Sequence, residues 1–299
     1  VNVRGALTIL VLGLAFLVGD VVQRTIIVGA VKLFPGRRLR ILSKWQHLWA
    51  AVCLGAVRHV GGATIDRPPR VEADSGTLVV MNHQSVLDIP LVSAALRPNH
   101  PRIVTRSRYA RGKPLISHMV RLYQYPTVDP RAMRRDDIER VAKQAAESPV
   151  PVVIYPEGTR SKSGRIAPFR RAGLSAILAE RRWDVWMVTI DGYWSLRTLD
   201  DFLKGSSRIE GHMRVDGPWP SPEPTGDVED TREDPALVEF IERMEGTMRA
   251  AIADMRGESG SPGRLESGDE AAASEGPTLP EGRATQTDAT TARIEDGDR

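Results

Sequence analysis

The chain begins with apolar positions that do not alternate with polar ones. Residues 5–19, "GALTILVLGLAFLVG", are unbroken apolar or small, and after Asp20 the run resumes as "VVQRTIIVGAVKLF". The first run is short of the ~20 residues that cross a bilayer. One continuous helix from about Ala6 to Phe34 is long enough, with Asp20, Gln23 and Arg24 on roughly one face. A cationic turn, "PGRRLRILSK", leads to a second apolar stretch, "WQHLWAAVCLGAVRHVG" (45–61), in which Trp45 and Trp49 stand one helical turn apart. Tryptophans beside cations fit a headgroup boundary, so the pattern predicts a membrane-anchoring helix pair over residues 1–62. The alternative is a pair of core helices. No small-x-small site follows the first run, which argues against a cleaved secretory signal.

After Pro68-Pro69 the pattern changes. Short apolar runs, "TLVVM" (77–81), "RIVT" (102–105), "PVVIY" (151–155) and "VWMVTI" (185–190), alternate with helical periodicity in "IPLVSAAL", "PLISHMVRLY", "DDIERVAKQAAE" and "FRRAGLSAILAERR". Strands alternating with helices predict an α/β fold over residues 63–256, with a mainly parallel central sheet flanked by helices. A late strand is expected within 206–215, followed by the proline-rich loop "GPWPSPEPTGD". A last helix begins near Asp234-Pro235. It carries Leu237, Ile241, Met244, Met248 and Ile252 on the face that packs. From Gly257 the large apolar residues almost disappear in favour of Gly, Ser, Thr, Pro and acid, which predicts a disordered acidic tail over 257–299.

Charge sharpens this division. The tail holds ten acidic and four basic side chains, net −6, so the +3 of the whole chain leaves +9 on residues 1–256. A basic body suits nucleic acid, anionic membrane or a phosphorylated substrate. The apolar helices favour the last two, and no nucleic-acid partner is expected. The single cysteine, Cys53, lies in the second apolar stretch, so no disulfide forms within the chain and the chemistry is expected to face a reducing cytosol. The six histidines show no metal-ligand spacing, and no metal or cofactor is expected.

Two stretches carry the candidate chemistry. "NHQSVLD" (82–88) follows the apolar run "TLVVM" and sets His83 five positions before Asp88. Ser85 and Asp88 could simply cap the next helix as a Ser-x-x-Asp pair. The functional reading makes His83 a base whose imidazole Asp88 orients. Pro90 fits only the first turn of a helix, which places the helix start near Asp88. "YPEGTRSKSGRIAPFRRAG" (155–173) follows a second apolar strand and gathers Arg160, Lys162, Arg165, Arg170 and Arg171 around Gly158 and Gly164. Such a loop can present guanidinium forks and N–H groups to phosphate. Its glycines are six apart and Arg165 stands where a Walker loop has Lys, so it is not a nucleotide loop.

Together, "NHQSVLD" and, some seventy residues later, "YPEGTRS" resemble the paired N-H-x-S-x-x-D and E-G-T-R blocks of the glycerolipid acyltransferase family, which includes 1-acylglycerol-3-phosphate acyltransferases. The resemblance covers roughly residues 45–220. It implies an O-acyltransferase that moves a fatty acyl group from acyl-CoA or acyl carrier protein to the free hydroxyl of a lysophospholipid, foremost 1-acylglycerol-3-phosphate. By the same resemblance His83 is the general base, Asp88 its orienting partner, and Glu157, Gly158, Thr159 and Arg160 hold the acceptor headgroup. Arg106 stands where the family usually has a lysine. The chain departs from the family's pattern in three places. Pro130 occupies the usual Arg position with Arg131 one residue late, Thr189 replaces a usual proline, and "FRRAG" is one residue long for the F-K-x-G element.

The implied location is a membrane surface with the active site on the cytoplasmic side, the inner membrane in a bacterium. Other lysolipid acceptors remain open, and so does a non-catalytic protein that binds anionic membrane lipid. A membrane phosphatase fits less well, because "SRYARGKPLISH" has no Asp four residues after His118. No G-x-S-x-G elbow is present, so direct attack by the acceptor hydroxyl is expected rather than an acyl-enzyme.

Overall fold

The computed structural model describes residues 2–258 except 131–133, 206, 208 and 225–232. Arg131 and all but the first two residues of the acidic tail therefore lie outside the described residues. The chain begins with helix α1 (Val3–Leu33), which passes through a π-helical turn at Gln23–Ile27. After the cationic turn comes α2 (Arg38–Gly55), extended by a second π turn over Ala56–Val60. Short strands β1 (Thr64–Ile65) and β2 (Val71–Ala73) precede β3 (Thr77–Met81). Next are α3 (Asp88–Ala95), β4 (Leu96–Pro98), β5 (Arg102–Ile103), β6 (Thr105–Arg106), α4 (Ile116–Leu122) and β7 (Thr127–Val128). The remainder is α5 (Arg135–Ala146), β8 (Val152–Ile154), α6 (Arg171–Glu180), β9 (Asp184–Asp191), β10 (Glu210–Pro220) and α7 (Pro235–Met255).

Six strands form the central sheet in the order β1-β10-β9-β3-β8-β5, and only the β10/β9 pairing is antiparallel. All five residues of β3 are buried, as expected of a strand covered on both faces. Its side chains still divide by face. Val79 and Met81 join one core with Leu12 of α1, Leu42 and Trp45 of α2, Leu91 of α3 and Val120 of α4. Leu78 and Val80 join the other with Ala142 of α5, Leu174 of α6 and Phe240 of α7. The expected face of α7, Leu237, Ile241, Met244, Met248 and Ile252, is buried in that second core.

Two local expectations are corrected. β10 runs on into the proline-rich stretch as far as Pro220. Among the described residues no strand pairs with its outer side beyond Gly211, so prolines 218 and 220 sit on an edge where a missing N–H costs little. The tryptophans of α2 do not mark a headgroup boundary. Trp45 is buried with its ring stacked on Trp49, and Trp49 meets Phe16 of α1 edge-on, so these rings join the two helices.

On its other side α1 leaves Leu7, Leu10, Leu14, Leu17, Val18 and Val21 exposed at helical spacing. Among the described residues it is the one helix long and apolar enough to cross a membrane.

Candidate active site

Parallel register brings the two motif stretches together. Val80 of β3 lies opposite Ile154 of β8 and Met187 of β9. Three residues past each of the first two stand His83 and Glu157, at the C-terminal edge where sites of α/β sheets collect. Asn82 secures the turn to the third strand: its Nδ2 donates to the Ile190 carbonyl at 2.9 Å, and its Oδ1 accepts the Ile190 N–H at 2.8 Å.

His83 is held at three points. Its Nδ1 lies 2.5 Å from Oδ2 of the fully buried Asp88. Its N–H donates to Glu157 Oε1 at 2.7 Å, and its carbonyl accepts the Ser161 N–H at 2.7 Å. The ring also stacks on Tyr155, with centroids 4.4 Å apart. Both backbone groups of His83 are thus tied to the second motif, and one ring nitrogen to the first.

Asp88 combines the two roles read from its spacing. Its carboxylate accepts the N–H groups of Gln84 and Ser85, which closes the turn, and takes His83 Nδ1 as well. Ser85 does not return the bond to Asp88. Its hydroxyl donates to the Leu196 carbonyl at 2.6 Å and accepts the Leu87 N–H. Because an ionised carboxylate only accepts, Nδ1 is the nitrogen that carries a proton in this pair, and Nε2 is the one left to face other partners. The His83 side chain is 19% exposed against 0% for Asp88, so that nitrogen belongs to the accessible part of the pair.

Glu157 faces inward. Its second oxygen accepts the Ala167 N–H at 2.8 Å, and burial, outweighing the two N–H bonds, pushes its pKa up to about 7. Gly158, with φ +68°, turns the loop so that its carbonyl accepts Arg106 Nη2 at 2.7 Å. Thr159 is exposed, and Arg160 spends Nη1 on the Arg197 carbonyl at 2.6 Å while its other donors stay available. Tyr109 accepts from Arg108. Burial opposes its ionisation, but that bond and the charges of Arg160, Arg108 and Arg106 win and lower its pKa. The charges of three guanidinium groups therefore reach the Tyr109 ring, and two of them, Arg160 in the second motif and Arg106 on the Gly158 carbonyl, belong or bond to the loop that holds His83. They supply planar forks of the kind that bind phosphate.

Motif reading does not find Gln84, Asp191 and Arg256. Gln84 donates to Asp191 Oδ1 and to the Gly164 carbonyl, and accepts the Tyr193 N–H. Arg256, just past α7, grips Asp191 through two bonds of 2.7 and 2.8 Å and also reaches Gly164. Burial alone would raise the Asp191 pKa; the bonds from Arg256 and Gln84 outweigh it and hold the carboxyl below its ordinary value. Gly164 suits its φ of +79°, and a Cβ there, 2.5 Å from Arg256 Nη2 and 2.6 Å from the Trp194 ring, would force both side chains to shift. The one available signal was Asp191 at a strand's C-terminal end. Of the departures, Thr189 is buried within β9, and Arg171 of "FRRAG" pairs with Glu242 of α7.

Comparison with known proteins agrees with this arrangement. The acyltransferase family model matches residues 62–190, a range that contains both motif stretches. A search of curated proteins finds no match. Among solved structures, the chain is similar to the crystal structure of the 1-acyl-sn-glycerophosphate (LPA) acyltransferase PlsC from Thermotoga maritima. The sequence identity is 18% and the TM-score 0.56, over 85% of this chain and 97% of that one. The family model thus spans both motif blocks, and the fold, which is that of the PlsC structure, brings those blocks into contact through its strand register.

Proposed function

We propose that this protein transfers an acyl group from an acyl thioester, acyl-CoA or acyl carrier protein, to the free hydroxyl of a lysophospholipid, with 1-acylglycerol-3-phosphate as acceptor and phosphatidate as product. The observation that carries the reading is the His83–Asp88 pair, whose main chain is held by the E-G-T-R loop. A hydroxyl is a poor nucleophile at neutral pH. His83 Nε2 takes its proton as the oxygen attacks the thioester carbonyl, a C–O bond replaces the C–S bond, and the thiolate leaves to be protonated. Asp88 keeps the proton on Nδ1 and stabilises the imidazolium. Gly158, Thr159, Arg160 and Arg106 hold the acceptor phosphate, while the inward-facing Glu157 positions the loop. The activity of the PlsC neighbour, a 1-acyl-sn-glycerophosphate acyltransferase, supports the acceptor class. The direct test is purified protein with a panel of lysolipids and acyl-CoA or acyl carrier protein, with products read by mass spectrometry. Headgroup binding without any turnover would make the protein a lipid binder instead.

Within that assay, Arg160→Ala should raise KM for lysophosphatidate about 10- to 100-fold, the loss expected for a charge-assisted hydrogen bond. Arg160→Lys should raise it less, since an ammonium offers a point charge in place of a fork. A zwitterionic phosphodiester acceptor should suffer less than the monoester. A change confined to the acyl donor's KM would remove Arg160 from the acceptor site.

Residues 1–62 serve in this proposal as the membrane-anchoring part and 63–256 as the acyltransferase part, with the site on the cytoplasmic side above the cationic turn. The exposed stripe of α1 is the contact with lipid. Truncation is a poor test, since Leu12, Leu42 and Trp45 belong to the core beneath the sheet. Leu10, Leu14 and Leu17 are 66, 62 and 57% exposed and can be changed without opening that core. At ~2 kcal/mol each, replacing all three by serine should weaken membrane partitioning by about four powers of ten. A high-salt wash should not release the unaltered chain, because salt screens charge and not apolar burial. Release of the unaltered chain by salt alone would leave only peripheral, electrostatic attachment.

A further inference from the structure

An apolar helix that only anchors has no use for a carboxylate and an amide on its inner face. Helix α1 has both. Asp20 Oδ1 accepts the Leu115 N–H at 2.8 Å, while Oδ2 pairs with Arg24. Gln23, completely buried in the π turn, donates through Nε2 to the Leu115 carbonyl at 3.4 Å and lies 2.9 Å from His118 Nδ1. Its Oε1 accepts the indole N–H of Trp45.

Leu115 is the residue on which these bonds converge, and its own conformation is unusual. It is fully buried and has φ +58°, in the left-handed region that residues other than glycine rarely adopt. Its N–H is satisfied by α1, and its carbonyl, which accepts the Met119 N–H at 2.8 Å, takes the Gln23 amide as a second donor. It also closes a particular loop. Residues 107–113 carry Arg108, Arg111 and Lys113, all exposed, and join Arg106 to Leu115. At one end Arg106 is tied to the Gly158 carbonyl of the candidate site. At the other, Lys113 exchanges bonds with Ser117, and Leu115 is gripped by Asp20 and Gln23.

We infer that Asp20 and Gln23 are positioning residues for the acceptor site: through Leu115 they set where the basic loop 107–113 stands beside the His83 turn, so that the helix in contact with lipid also shapes the headgroup pocket. The inference rests on the lysophospholipid reading for its kinetic consequence, but its structural content does not depend on turnover. It assigns a role to the polar face of α1 that the anchoring role leaves unexplained.

Asp20→Leu and Gln23→Leu make α1 more apolar, so a helix that merely anchors should retain the protein on vesicles as well as before, with unchanged kinetics. If the two residues position the loop, KM for the lysophospholipid rises about tenfold, the size expected when a buried N–H such as that of Leu115 or the Trp45 indole loses its partner. The donor KM, kcat and vesicle retention stay within about threefold. Asp20→Asn, which keeps an oxygen for the Leu115 N–H, recovers most of the loss. Limited trypsin digestion of the full chain supplies a readout independent of catalysis. Cleavage after Arg108 or Arg111 should accelerate in both leucine variants, while cleavage after Arg181 does not. Unchanged cleavage in this loop overturns the inference whatever the kinetics show, and so does a defect confined to kcat. A wild-type protein that acylates no lysophospholipid would sink the functional reading alone, and the digestion pattern would still decide this one.

Discussion

Replacement of His83 by alanine is expected to reduce acyl transfer by about 10²- to 10⁴-fold, the contribution of a positioned general base, while lysolipid binding stays within a few-fold. The base acts on a proton that moves only in the transition state, so its removal appears in kcat rather than in substrate capture. Fold stability should change little, because the ring is partly exposed and the bonds that hold this turn to Glu157 and Ser161 come from the His83 backbone. Asp88→Asn should cost less in catalysis than His83→Ala, since a base remains. It should cost more in stability, because the same carboxylate closes the turn through the N–H groups of Gln84 and Ser85. Single-turnover kinetics and thermal unfolding of both variants separate the two effects. Near-normal turnover by His83→Ala would falsify the mechanism.

The second large effect is expected at Glu157, a carboxylate 2% exposed with one oxygen on the His83 N–H and the other on the Ala167 N–H. Glu157→Ala leaves two donors without partners. At about 1–3 kcal/mol for each, the variant should lose roughly 2–6 kcal/mol of stability, and most of its activity as the His83 main chain loosens. Glu157→Gln keeps one acceptor and should lie between. The pH dependence has a definite sign. Burial raises the Glu157 pKa from its ordinary 4.5 to about 7, so between these values the folded chain holds a proton that the unfolded chain has released. This group's stabilising contribution is therefore complete below about pH 4.5 and is lost as pH rises through about 7. Wild type and Glu157→Gln, melted side by side from about pH 5 to pH 8, should show the wild type losing ground as pH rises. A wild type that gains on the glutamine variant across that range would mean the bonds to His83 and Ala167 outweigh desolvation.

The local half of the site could be read from residue order. His83 and Asp88 lie on one turn between a strand and a helix, and Pro90 marks where that helix begins. A five-residue separation on such a turn leaves few ways for the two side chains to avoid each other. The strands were legible for the same local reason: a short apolar run bounded by turn residues has to be buried. The long helix over residues 3–33 and the packed face of α7 follow from helical spacing in the same way.

Local pattern could not supply the partners. Periodicity states which face of an element is buried, whereas register between distant strands is set by the summed packing of both faces. The pairing of Val80 with Ile154 brings Glu157 to the His83 N–H, and this turned a residue expected among the headgroup ligands into an inward support. The same holds for Asn82 on Ile190, and for Arg256 reaching Asp191 from the far end of the chain. In α1 the sequence placed Asp20, Gln23 and Arg24 on one face but left open what that face would meet. Only the packing of α1 against α2 and α4 put Leu115 there, because a buried amide and a half-buried carboxylate in an apolar helix take whatever polar backbone the tertiary fold delivers to them.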